Sequence, residues 1–433
     1  MLCHTDISVG LYKEKELLEQ IKARDETPKQ NRYFYGYVVV ATSFAIQVIG
    51  WGIHNSYGVF FNPIIKEFGW SRASVAGAAS ISILVHGLLS IFVGALNDRI
   101  GPRLIMTGCG LLMGSGYLLM AKADNLWEIY LYYGIIIGMG VSGTDVVLLS
   151  TVARWFIRLR GAMSGILKVG TGLGMVIAPI FITILLALYP WRTCFAILGA
   201  IIAVSYVVLA QFLVRDPALK GQSADNAGPI GSACGRLAEE GLTYREAILT
   251  RQFWSLCLIC VLTVACTYTM LMHLVPHLID TGMTPAKAAT VLSTLGAVSI
   301  VGRLVMGAAA DRIGAKMALA FTFAMMFTGL IVLNKAGPAL MYYLFAVIHG
   351  FAHGAFFALM SPAVAAFFGT RSHGILLGSV IFSGTIGGAA GPILGGHLFD
   401  VTGTYSVLFM VLAGASLGAF TLALSLSPKA QRS

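Results

Sequence analysis

The chain has 433 residues, 57% of them apolar and only 11% charged, with a mean hydropathy of +0.81; soluble domains carry roughly 25% charged residues. This composition describes a membrane protein and excludes a soluble enzyme, a nucleic-acid binder and a disordered scaffold. Its 29 basic and 19 acidic residues leave a formal charge of +10, an excess that membrane topology explains without any nucleic-acid partner.

Residues 1–32 are polar and charged, with no short apolar core before a small-residue cleavage site, so an uncleaved cytoplasmic leader is expected. Apolar runs of about 20 residues, the length that crosses a bilayer, then fall at 34–62, 72–96, 103–121, 126–153, 161–188 and 192–213. A polar stretch at 214–250 precedes six more, at 252–279, 285–309, 316–334, 338–367, 374–399 and 404–426. The expectation is an all-α integral membrane protein with twelve transmembrane helices: one bundle of six over 33–213, a cytoplasmic interdomain loop, a second bundle over 251–426, and a cytoplasmic tail at 427–433.

With both ends inside, 21 of the 29 Lys and Arg residues fall in the leader, the cytoplasmic loops and the tail. Lys66, Arg72, Lys122, Arg192, Lys287 and Lys335 fall opposite, and only Lys168 and Arg303 lie within spans. The positive-inside rule therefore orients the chain, in a cell (plasma or inner) membrane, with lipid headgroups as sufficient counter-charge. Seven cysteines (Cys3, Cys109, Cys194, Cys234, Cys257, Cys260 and Cys266) lie mostly in apolar segments without the spacing of a disulfide framework, and reduced thiols are expected.

The halves repeat at an offset of 213 residues. GALNDRIGPR (94–103) matches GAAADRIGAK (307–316), placing Gly94, Asp98, Arg99, Gly101 and Arg103 on Gly307, Asp311, Arg312, Gly314 and Lys316. Pro63, Gly69, Gly161, Gly165, Gly174 and Pro179 likewise map onto Pro276, Gly282, Gly374, Gly378, Gly387 and Pro392. An even number of helices per half makes the repeats parallel, related by a pseudo-two-fold axis along the membrane normal. A substrate site is expected between them, around a central cavity near mid-membrane.

The DRIG loops resemble the signature of the major facilitator superfamily between helices 2 and 3 and its weaker copy between helices 8 and 9. The resemblance covers nearly all of the chain after residue 33 and implies two six-helix bundles moving by alternating access. In that family the loop's acid and bases lock one state, which implies gating roles for Gly94, Asp98, Arg99, Gly101, Asp311 and Arg312. Three segments, EFGWSRA (67–73), RWFIRLRGAMSGILKVGTGLG (154–174) and GPILGGHLFDVTGTY (391–405), with LTYREAILTRQFW (242–254), are similar to monocarboxylate transporters and their bacterial relatives, including the oxalate/formate exchangers. Gly-rich fifth and eleventh spans would let helices approach and slide without interlocking side chains.

Arg303 costs about 2.5 to 3.5 kcal/mol at the middle of a span. It lies eight residues, about 12 Å, before Asp311, too deep for easy snorkelling, so it should face the cavity. The resemblance places it where the family keeps the arginine that receives the substrate carboxylate, and a guanidinium fork suits that task. A structural arginine paired to a neighbouring carboxylate or carbonyl is the alternative. Departures from the family stand at Ser299, where many animal members carry a proton-coupling aspartate, and at Asn55, in place of a first-helix lysine. Both positions are retained as substrate-side candidates. The exchangers' second cation, a lysine in helix 11, is absent here, but the repeat mate of Ile381 is Lys168 in the fifth span.

Asp145 lies 12 residues before residue 157, the centre of the turn between the fourth and fifth spans, and Lys168 lies 11 after it, so both sit roughly 17 Å into their spans. Equal depth on adjacent helices predicts an ion pair. It is either an inert internal salt bridge or a switch in which Lys168 faces the cavity and Asp145 releases it on protonation or substrate binding.

Nine histidines include the pairs His273/His277 and His349/His353, four apart, besides His54 and His86. His86, the repeat mate of Ser299, together with His277 and His353, could face the cavity and carry a coupling proton. No Cys or carboxylate completes a metal set beside them, the CxxC of Cys257 and Cys260 lies in an apolar helix, and no nucleotide, nucleophile-elbow or HExxH motif occurs; no cofactor, metal or catalytic residue is expected. The expected function is secondary active, proton-coupled transport of small monocarboxylates of the lactate or pyruvate type. A dicarboxylate or oxalate/formate-type exchanger using a counter-anion is the alternative, and a ligand-binding sensor without transport is the rival of another class.

Overall fold

Inside a bilayer no water is present to satisfy backbone N–H and C=O groups, so long apolar runs close on themselves as helices. The computed structural model describes residues 34–226 and 241–427. The leader, residues 227–240 of the interdomain stretch, 428–433 of the tail, Cys3 and Cys234 lie outside the described residues. Within them every long element is helical.

Helix α1, Gly36–Phe68, passes through a 3-10 stretch at Ser56–Phe60. It is followed by α2 (Arg72–Ile100), α3 (Pro102–Met120), α4 (Leu126–Trp155, π-helical over Tyr130–Ile137), α5 (Arg160–Leu188) and α6 (Trp191–Ala210). A one-turn helix at Tyr244–Ile248, opened by a capping box of Thr243 and Glu246, leads into α7 (Arg251–Asp280). Pro285–Asn334 is one helical element bent at Gly314 (φ 81°, ψ 152°); its arms, 285–313 and 315–334, are α8 and α9. Helices α10 (Ala339–Phe368), α11 (His373–Thr402) and α12 (Tyr405–Ser425) complete the series.

Eleven of these elements are long and apolar enough to cross a membrane, the bent pair counting as one. With the two arms of that pair taken separately, the long helices among the described residues number twelve, as the sequence leads one to expect. Gly314 and its repeat mate Gly101 (φ 96°, ψ 167°) make the same one-residue turn, between α8 and α9 and between α2 and α3. Both turns take a left-handed φ that an L side chain resists and glycine adopts freely. Helix starts are set by small polar caps: Ser71, Asn125, Thr250 and Thr284 each accept the backbone N–H three residues on.

In the first half α1 packs on α5, α3 on α6, and α2 on α4; in the second α7 packs on α11, and the α8–α9 pair on α10 and α12. The halves meet where α2 lies along α11 and α5 along α8. Large aromatic residues such as Trp155, Tyr117, Tyr133 and Tyr206 are fully buried, while Phe92, Val176, Leu304 and Ile393 are exposed, as suits a surface facing lipid tails. Opposite the Gly101 turn, Arg192 ties three helix ends together by pairing with Glu67 and, at 2.9 Å, with Asp124, while Trp191 Nε1 donates to Glu67 at 2.6 Å.

Candidate functional site

The two DRIG turns lie where the chain halves touch. Asp98, at the end of α2, accepts the backbone N–H groups of Gly374 and Ile375 at the start of α11, both at 3.1 Å. Asp311, near the end of α8, accepts those of Gly161 and Ala162 at the start of α5, at 2.6 and 2.8 Å. Each carboxylate satisfies donors that a helix start leaves unpaired and sits at the positive end of the helix dipole.

Glycine permits the approach. A Cβ at Gly94 would fall 2.3 Å from the carbonyl oxygen of Gly374, and one at Gly161 would fall 2.1 Å from that of Gly307. Arg99 and Arg312, expected among the locking charges, are exposed, and no ion pair forms on either among the described residues. The pairing base is Arg154 at the end of α4, bonded to Asp98 at 2.8 Å and to Asp216 at 3.4 Å.

Deeper in the spans, three charged side chains from α4, α5 and α8 converge. Lys168 Nζ lies 2.7 Å from Asp145 Oδ1, the pair that equal depth predicts. The Arg303 guanidinium reaches across from α8 and donates to the Lys168 carbonyl oxygen at 3.1 Å, lying over Gly172, where a Cβ would meet it at 2.4 Å. Its Nε is buried with no hydrogen-bond partner. Lys168 stands eight residues from the start of α5, Asp145 ten from the end of α4 and Arg303 eleven before Gly314. The three therefore share a depth of about 12 to 16 Å.

Asp145 is held by more than lysine. Its Oδ1 also accepts from Gln47 Nε2 at 2.8 Å and Trp51 Nε1 at 3.2 Å, both on α1. Gln47 is itself oriented, since Thr171 donates to its Oε1 at 2.6 Å and its Nε2 also reaches the Thr144 carbonyl at 3.1 Å. Phe357 of α10 offers its ring face to the Lys168 ammonium, 5.8 Å from the centroid.

The remaining candidates divide. His86 packs against the edge of Trp51 at 5.2 Å with its Nε2 buried and unpartnered, and His353 sets its ring against Phe357 at 5.3 Å with its Nδ1 likewise unpartnered. These two border the charge cluster. His277 does not: it packs among Tyr342, Tyr405 and Phe409 near the far end of α7. Ser299 is buried in the close α8–α10 contact, and its hydroxyl donates to Gly296 of its own helix at 2.7 Å. Asn55 is exposed, and its amide turns back to the Trp51 carbonyl at 2.9 Å. Cys257 and Cys260 are buried free thiols packed on α11 beside Ser383 and Gly384.

Gln47, Trp51, Thr171, Phe357 and Arg154 join these arrangements without having been singled out by sequence. A glutamine in the middle of a first span was the one available signal among the cluster residues. Arg154 was hidden because its repeat mate is Phe367 and a base beside a loop expected to be cytoplasmic already satisfies the positive-inside rule.

The family model described as "Major Facilitator Superfamily" matches residues 40–334 and 257–433. Monocarboxylate transporter 13 of Rattus norvegicus is 31% identical over 391 residues, covering 88% of this chain and 86% of that protein. Monocarboxylate transporter 11 of Homo sapiens is 27% identical over 394 residues, covering 87% and 80%. Among solved structures, the transporter FucP in its outward conformation superposes with a TM-score of 0.70 at 13% identity, covering 91% of this chain and 99% of that one. The human organic anion transporter MFSD10 superposes with a TM-score of 0.65 at 17% identity, covering 92% and 100%. At such identities the structures speak for the fold alone; the family match and the rat relative carry the assignment. The chain belongs to the major facilitator superfamily of transporters, with monocarboxylate transporters among its relatives.

Proposed function

We propose that this chain is a secondary active transporter of small monocarboxylates, working by alternating access between two six-helix halves (33–213 and 251–426) and moving a proton with its substrate. The observation that carries the reading is the meeting of Arg303, Lys168 and Asp145 at one depth, on helices from both halves. A guanidinium with a buried, unpartnered Nε is a donor waiting for an acceptor, and a carboxylate is the acceptor its fork fits best. Relatives named monocarboxylate transporters support the substrate class.

In this reading Arg303 receives the carboxylate and Lys168 assists it. Asp145 stays ionised against Lys168, and His86 and His353 beside it form the proton-accepting side; His277, Ser299 and Asn55 take no direct part. The Asp98 and Asp311 contacts hold the DRIG side closed, and that side is cytoplasmic, as are both termini, in a cell membrane. Breaking those contacts would let α2 part from α11 and α5 from α8, exposing the cluster to the other compartment.

The test is uptake of labelled lactate and pyruvate into liposomes holding the purified protein, with and without an inward proton gradient. Gradient-driven accumulation that a protonophore abolishes is expected. Binding without accumulation would make the protein a sensor, and gradient-independent exchange against preloaded oxalate or formate would make it an exchanger.

A further inference from the structure

Asp145 takes its three donors, Lys168, Gln47 and Trp51, on Oδ1 alone, and no donor reaches Oδ2 among the described residues. Its side chain is 13% exposed against 5% for Lys168. Around it stand two cations, the Lys168 ammonium and the Arg303 guanidinium, both buried. The other groups in electrostatic reach of Asp145, namely His86, Tyr206 and Tyr268, carry no permanent charge, and the same holds for His353 near Arg303. The cluster therefore holds two fixed positive charges against one titratable negative charge. A net charge away from bulk water is costly, so such a site favours a ligand that brings it to neutrality.

Resting on the carboxylate reading above, we infer that the charge of Asp145 sets the valence of the anion this site accepts. With Asp145 ionised, one positive charge is in surplus and a monocarboxylate completes neutrality. With Asp145 neutral, two are in surplus and a dicarboxylate, bridging Lys168 and Arg303, becomes the preferred ligand. Asp145 thus acts as a built-in second carboxylate. It occupies the ammonium that a dicarboxylate would need, held there by Gln47, whose amide Thr171 and the Thr144 carbonyl lock in place.

Binding of lactate and of malonate to the purified wild type and variants at pH 8, where both probes are fully ionised, tests the inference. The wild type should favour lactate. Asp145→Asn should shift the malonate-to-lactate affinity ratio toward malonate by about tenfold or more, since each step of 1.4 kcal/mol is tenfold. Lys168→Gln, which leaves no surplus, should lose about tenfold for lactate without gaining malonate, and Asp145→Asn with Lys168→Gln, again one positive in surplus, should return to lactate. An affinity ratio in Asp145→Asn within about twofold of the wild type overturns the inference. Should that variant fail to fold, Lys168→Gln decides alone: lactate affinity within about twofold of the wild type overturns it equally. If the wild type binds neither anion, the carboxylate reading itself fails, and the valence rule with it.

Discussion

Asp98 and Asp311, 213 residues apart, make the same contact in opposite directions: each carboxylate accepts the backbone N–H groups of the second residue, a glycine, and the third residue of a helix from the other half of the chain. The contacts are not equal. Asp98 also holds Arg154 at 2.8 Å, whereas no ion pair forms on Asp311 among the described residues. Asp98→Asn should therefore disturb the closed state more than Asp311→Asn does, because it breaks both a charged helix cap and a partly buried ion pair. Stopped-flow or counterflow rates in liposomes should fall for both variants, further for Asp98→Asn, with ligand affinity changed no more than a few fold. A loss of affinity at unchanged turnover would remove these residues from the conformational step.

Glycine at the α5–α8 contact leads to a second expectation. Gly161→Val would place side-chain atoms where even a Cβ lies 2.1 Å from a backbone oxygen. Such overpacking costs about 1 to 3 kcal/mol against the state that contains the contact. The population should shift toward separation of α5 and α8 on the DRIG side, read as faster maleimide labelling of an Ala310→Cys probe, a position buried in the closed structure. Unchanged labelling would mean the contact survives the opening step.

Much of this was legible beforehand because it depends on spacing. The offset of 213 identifies both DRIG turns and their glycine partners, and equal distance from one turn pairs Lys168 with Asp145 before any helix is placed. What stayed hidden depends on rotation about helix axes. Asn55 and Ser299 were candidates by position, but their side chains bond back to their own helices, a choice apolar runs do not encode. His277 shares a four-residue spacing with His273 yet turns into an aromatic cluster. Gln47 and Trp51 meet Asp145 only because α1 packs across α4 and α5, which no local pattern specifies.

The Lys168–Asp145 pair separates scaffold from site. Removing one member strands a buried charge at a cost of about 3 to 5 kcal/mol, and removing both does not. Asp145→Asn with Lys168→Gln should therefore melt closer to the wild type than either single variant. Thermal stability should recover in the double variant, and the malonate binding gained in Asp145→Asn should be lost with it. Single variants that lose stability while keeping the wild type's malonate-to-lactate affinity ratio would make the pair structural only.

Lactate affinity of the wild type and of Arg303→Lys, measured on purified protein alongside their melting temperatures, tests most directly that Arg303 receives the substrate. Lysine keeps the charge but loses the two-pronged donor geometry. Saturable binding by the wild type and a loss of about tenfold or more in Arg303→Lys, equivalent to 1.4 kcal/mol or more, at a similar melting temperature, is the predicted result. Equal lactate affinity in the two proteins would contradict it and leave Arg303 as a strut between α8 and the Lys168 carbonyl.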